Sequence, residues 1–92
     1  MLLAIDAGNT NIVFAVYNGE EKLNQWRVET HKLSSDIFSE IQSDFSDIDD
    51  VIICSVVPKI NDALVENCQE FFNVQADFVT HENIDIEIKI DK

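Results

Sequence analysis

Residues 2–28 read LLAIDAGNTNIVFAVYNGEEKLNQWRV, and the punctuation of this stretch decides the architecture. Leu2–Asp6 is a short apolar run that ends in the turn-forming cluster Ala7-Gly8-Asn9-Thr10-Asn11. Ile12–Tyr17 is apolar again and rich in the β-branched and aromatic residues that suit a pleated, half-buried surface. Asn18-Gly19 follows, and an Asn-Gly pair between strand-like runs signals a hairpin because both residues accept φ > 0. Leu23–Val28, around Trp26, is then the returning strand. The stretch predicts three antiparallel strands in a meander.

Downstream the period changes from two to 3.6. Ser34 or Ser35 can cap a helix, with Asp36 in its first turn favoured by the macrodipole. Ile37, Phe38, Ile41 and Phe45 follow on one apolar face, opposite Glu40, Gln42 and Asp44. Val51–Val57 (VIICSVV) does not alternate, which predicts a strand buried on both faces with a parallel neighbour. Pro58 ends that strand and suits the first turn of a second helix, whose inner stripe is Ile60, Ala63, Leu64, Cys68, Phe71 and Phe72. Ala76–Thr80 reads as a further short strand. Ile84–Ile90 (IDIEIKI) alternates strictly and reads as a half-exposed or edge strand.

The order is βββαβαβ, with a possible last strand. It is the layout of a ribonuclease H-like (actin-like ATPase) α/β domain: a mixed sheet of about five strands with two helices. Two helices cover only part of such a sheet, so an apolar face is expected to remain, waiting for a partner chain or further sequence. Ninety-two residues make one small domain or a piece of a larger one.

Charge limits the partners. Six Lys and Arg against eighteen Asp and Glu give a net charge of −12. Such a chain does not hold a polyphosphate backbone or an anionic membrane by bulk attraction, so neither nucleic acid nor a membrane is an expected partner. Any phosphate must be held locally, by backbone amides or through a cation. Cys54 lies in an apolar strand run and Cys68 in a helical pattern, with no CxxC, which reads as two reduced core thiols of a cytoplasmic protein. The amino terminus MLLAID has no basic region, and its apolar run stops at Asp6, too short for a signal peptide or a span.

The segment that carries chemistry is Asp6–Asn11. A tight turn with a glycine lets backbone approach a ligand closely and can aim amides at an anion. Asp6, at the strand's end, could hold Mg²⁺ directly or through water. The bland alternative is a simple hairpin turn with Asp6 solvating its mouth. Other residues carry less. His31 and His81 read as surface or loop histidines rather than a zinc pair. Asp47, Asp49 and Asp50 read as a solvated loop, since a calcium loop would need a turn glycine they lack. Phe38, Phe45, Phe71 and Phe72 read as core, Trp26 as core or a dimer surface. Ser55 lacks the elbow and histidine of a hydrolase nucleophile.

The opening MLLAIDAGNTNIVFAVYNG resembles the amino terminus of type III pantothenate kinases, which begin with a strand and then DxGNT. Further landmarks follow in order: Trp26-Arg27 with Thr30, Ser34-Ser35-Asp36, and Ser55-Val56-Val57-Pro58. The resemblance spans nearly the whole chain. It implies transfer of the γ-phosphoryl of ATP to the hydroxyl of pantothenate, the first step of coenzyme A synthesis, with Mg²⁺ and a monovalent cation (K⁺ or NH₄⁺), by a homodimer. It further implies that Asp6, Ala7, Gly8, Asn9, Thr10, Asn11, Ile12 and Val13 form the first phosphate-binding loop. In that loop Asp6 organises the metal, and Gly8–Asn11 cradle the β- and γ-phosphates.

Family members are more than twice this length. They carry a Gly-x-Asp-Arg motif shortly after the position of Lys92, its Asp the general base and its Arg a substrate ligand; the second phosphate loop and the cation-binding Asp come later. The expectation is therefore an amino-terminal nucleotide-binding domain over 1–92, truncated, with no catalytic base and no activity by itself. Two other readings stand beside it: a non-catalytic regulator of the same fold that binds Mg·ATP, and a superfamily kinase with a different substrate.

Overall fold

Strand β1 (Leu2–Ala7) lies at the centre of everything described by the computed structural model, which covers residues 1–79. On one side β1 pairs antiparallel with β2 (Asn11–Asn18), from Leu2↔Tyr17 to Ala7↔Ile12. Strand β3 (Glu21–Glu29) returns antiparallel along β2 and completes the expected meander. On the other side β1 pairs parallel with β4 (Asp50–Ser55), and β4 pairs parallel with β5 (Asp77–Phe78). The sheet order is β3-β2-β1-β4-β5, mixed and five-stranded. Thr80, His81 and the expected strand Ile84–Ile90 lie outside the described residues.

The β2–β3 turn sits one residue later than the Asn-Gly pair suggests. Asn18 pairs with Glu21, so Gly19 and Glu20 are the central residues. Gly19 has φ +66°, whereas neither Asn18 nor Glu20 has positive φ. Positive φ at the first central position alone is the II′ pattern, in which glycine is required and asparagine contributes nothing special. The register then slips between Val16 and Tyr17, which bulges Leu23 out to 36% exposure.

Helix α1 (Ser35–Asp44) starts as its sequence dictates: the Ser34 Oγ accepts from the Asp36 N–H at 3.2 Å. Strand β4 stops at Ser55, short of the expected Val57. The Val57 N–H turns back to donate to the Ser55 Oγ (3.0 Å), and Val56 is left 60% exposed. Pro58 then opens a 3-10 turn (Pro58–Ile60) rather than the helix itself, and α2 (Asn61–Phe72) follows. Asn73 closes α2 in the left-handed region, φ 58°.

Register sorts the two sheet faces. Leu3, Ile5 and Ala7 of β1 align with Val16, Phe14 and Ile12 of β2 and, for Leu3 and Ile5, with Val51 and Ile53 of β4. Ile37, Phe38 and Ile41 of α1 and Leu64 and Cys68 of α2 pack on that same face, in one cluster. Phe38 is its hub, edge-on to Phe14 at 5.5 Å and stacked near Phe71 at 6.3 Å. Truncating a buried ring of this kind typically costs about 3–5 kcal/mol. Trp26 belongs to the margin of this core, edge-on to Phe45 at 5.9 Å.

The opposite face carries a smaller cluster of Ala4, Ala15 and Tyr17 with Leu2 and Ile52, and among the described residues no helix packs on it. Cys54 and Cys68 are both buried and neither forms a disulfide among the described residues; burial pushes the Cys68 thiol up to about 12. In the acidic loop Asp49 takes the N-terminal ammonium at 2.9 Å, a hydrogen bond and charge that hold its carboxyl below the usual range. No described helix is long and apolar enough to cross a membrane.

Candidate functional site

At the carboxyl ends of the parallel strands β1 and β4 the chain makes two adjoining turns. In open α/β sheets that end of the strands is where ligands are taken. The first turn is Gly8–Asn11, closed by the Gly8 N–H donating to the Asn11 carbonyl at 2.9 Å. The second is Val56–Val57, tied to the first by the Val56 N–H donating to the Ala7 carbonyl at 3.0 Å. The SVVP segment thus lies against the glycine turn, although the two are far apart in sequence.

A third element, the 3-10 turn Thr30–Lys32 that follows β3, locks the first turn. The Thr30 Oγ1 donates to the Gly8 carbonyl at 2.7 Å, and the Thr30 N–H donates to the Thr10 carbonyl at 2.9 Å. Thr30 is 8% exposed, so the donor side of both bonds is largely shielded from competing water. Thr30 thereby holds the turn at two of its carbonyls, those of Gly8 and Thr10. Asn9 and Thr10, at its tip, are exposed, and their N–H groups make no backbone–backbone hydrogen bond among the described residues.

Gly8 is needed for room, not for its φ, which is not positive. A Cβ there would sit 3.3 Å from the Asn11 carbonyl oxygen and would otherwise meet no other atom within 4 Å. Its open side is free for the backbone to be approached.

The structure divides the eight expected site residues into three groups. Ala7 and Ile12 point into the main core, 1% and 0% exposed, and can contribute only backbone. Gly8, Asn9, Thr10 and Asn11 form the turn. Asp6 and Val13 are directly opposite one another on the second sheet face, both half-buried. Cys54 flanks Asp6 on β4, and Arg27 flanks Val13 on β3. The row across this face reads Arg27, Val13, Asp6, Cys54.

Among the described residues no three His, Cys, Asp or Glu side chains gather at metal-binding distance. Asp6 would offer a single carboxylate. That suits Mg²⁺, which commonly takes one or two carboxylates and fills its octahedron with water and phosphate oxygens. His31 is exposed, 3.5 Å from the Glu29 carboxylate, and far from any such role. Thr30 was visible in the sequence only as a landmark. Its use as a clamp depends on a contact across 22 residues, for which the sequence carries no local signal.

Comparisons with known proteins agree with one another. The family model for type III pantothenate kinase matches residues 2–92. A Solibacter usitatus protein named type III pantothenate kinase is 39% identical over 101 residues, covering 99% of this chain and 39% of the relative. Proteins of the same name from Geobacillus sp. (strain WCH70) and Geotalea uraniireducens are 37% and 42% identical, over 82% and 78% of this chain. These two are covered over 33% and 32% of their own length. The chain therefore spans about a third to two fifths of the curated relatives it matches.

Proposed function

The chain belongs to the type III pantothenate kinase family, and from that premise we propose that it supplies the first phosphate-binding loop for transfer of the γ-phosphoryl of ATP to the hydroxyl of pantothenate. The observation that carries the reading is the clamped turn. Gly8–Asn11 is held by Thr30 on two bonds, while the exposed tip amides of Asn9 and Thr10 make no backbone–backbone hydrogen bond among the described residues. Phosphoryl transfer asks of the protein mainly positioning and charge stabilisation, and a turn fixed before the ligand arrives serves both.

In this reading Asp6 holds Mg²⁺, which when bound neutralises phosphate charge. Backbone of Gly8 to Asn11 receives the β- and γ-phosphates. Ala7 and Ile12 anchor the loop to the core, and Val13 forms its floor beside Asp6. The general base, the pantothenate site and the monovalent-cation site fall to residues other than those described. Residues 1–92 act as the nucleotide-binding domain of a cytoplasmic homodimer.

The test is pantothenate-dependent ADP release by a protein of the relatives' full length that carries these residues. We expect turnover, and about a hundredfold loss on Asp6→Asn, the scale of a misplaced reacting group. The 92-residue chain alone is expected to be silent. ATP binding without turnover in the long protein would favour a non-catalytic nucleotide-binding module instead.

A further inference from the structure

Arg27 occupies a position that the loop itself does not explain. Residues Trp26 and Val28 pack toward the helix-covered core, so the alternation of β3 turns Arg27 to the opposite face. There it is paired across β2 with Val13, and Val13 is paired with Asp6. Two strand spacings, about 10 Å, separate the Arg27 and Asp6 backbones. A guanidinium side chain is long enough to reach most of that distance across Val13.

Its chemistry is as telling as its place. The chain carries −12, yet Arg27 is exposed and makes no ion pair or side-chain hydrogen bond with any described residue. The nearest carboxylate along the same face of β3, Glu29, lies 3.5 Å from His31 Nε2. Lys22, which shares this face at its far end opposite Tyr17, donates to the Gln25 side chain at 2.7 Å. Of the two cations that register places on this face among the described residues, only Arg27 stands at the end where the Gly8–Asn11 turn lies.

We infer that Arg27 binds the phosphate chain of the nucleotide, its guanidinium taking phosphate oxygens over Val13 from the side opposite Asp6. The inference rests on the phosphate-loop reading above and adds to it a cation supplied by the third strand. A planar guanidinium matches phosphate geometry with two parallel N–H donors, which an ammonium does not.

The test is calorimetric titration of the full-length protein with MgATP and, separately, with magnesium tripolyphosphate, which has no base or sugar. Arg27→Gln is expected to weaken both by the same factor, about tenfold, as loss of a charge-assisted hydrogen bond does. Arg27→Lys should recover part of the loss. A merely structural role for Arg27 would lower the melting temperature and would not follow the phosphate.

Unchanged affinity in Arg27→Gln, with Asp6→Asn still losing binding, would overturn the role of Arg27 and leave the loop reading standing. Weakening of MgATP without weakening of tripolyphosphate would overturn it as well. If Asp6→Asn and Arg27→Gln both bind like the parent, the loop reading itself falls and this inference with it.

Discussion

Two hairpin turns of the same meander contain glycine and asparagine, and they use them in opposite ways. The β2–β3 turn needs the backbone freedom of glycine: Gly19 has φ +66°, and a Cβ there would meet nothing within 4 Å. The β1–β2 turn needs the small size of glycine: Gly8 has no positive φ, and its Cβ would press on the Asn11 carbonyl at 3.3 Å. The β2–β3 turn stands alone in solvent. The β1–β2 turn is bonded to Thr30, just after β3, and the residue before it, Ala7, accepts from Val56, just after β4. A turn that only reverses the chain needs no such bracing, and the bracing suits the phosphate-binding role proposed for this one.

The comparison can be broken experimentally, and Thr30 should give the largest effect on stability. Thr30→Val keeps the shape but leaves the buried Gly8 carbonyl short of a donor, at a cost of about 1–3 kcal/mol in denaturant unfolding. Nucleotide affinity should fall with it, and Thr30→Ser should restore both. No loss in Thr30→Val would show that the turn holds itself.

Next in size is a crossed pair of glycine substitutions. Gly19→Ala forces a side chain into the left-handed region and should cost about 1–2 kcal/mol while leaving MgATP binding unchanged. Gly8→Ala presses a Cβ on the Asn11 carbonyl and should cost about 1 kcal/mol, and it should also weaken MgATP binding severalfold. If both variants lose binding alike, the two turns are not functionally distinct.

The smallest effect concerns the core rather than the turns. With its thiol pushed up to about 12, Cys68 should resist alkylation at pH 8 in the folded protein and react readily in denaturant. A folded-state pKa above the unfolded value of 9.0 gives stability fully present below pH 9 and lost as pH rises toward 12. Rapid labelling of the folded protein at Cys68 would mean that the α2 face opens.

Much of this was legible because local chemistry and packing agree. Ser34 caps α1, the unbroken apolar run of β4 marks its parallel pairing with β1, and Phe38 sits at the hub that its helical spacing implies. The misreadings are local and physical. Asn18-Gly19 signals a turn but not which residue takes the positive φ, and pairing of Asn18 with Glu21 decides it. Val56 and Val57 look like strand, yet the Ser55 hydroxyl captures the Val57 N–H and ends it.

At the site, Asp6–Asn11 stood out through its residue types. The Thr30 clamp and the placement of Arg27 did not, because each exists only once β2 and β3 are in register. A register is a property of two strands, and a single stretch of sequence does not spell it out.

The most direct test of the central claim is the thermal shift produced by MgATP in three full-length proteins: parent, Gly19→Ala and Asp6→Asn. A braced β1–β2 turn with Asp6 as its metal ligand predicts a clear MgATP-dependent rise in Tm for the parent and for Gly19→Ala. For Asp6→Asn it predicts none, with the folded state retained. An equal rise in all three would contradict the assignment of the phosphate-binding site to this turn.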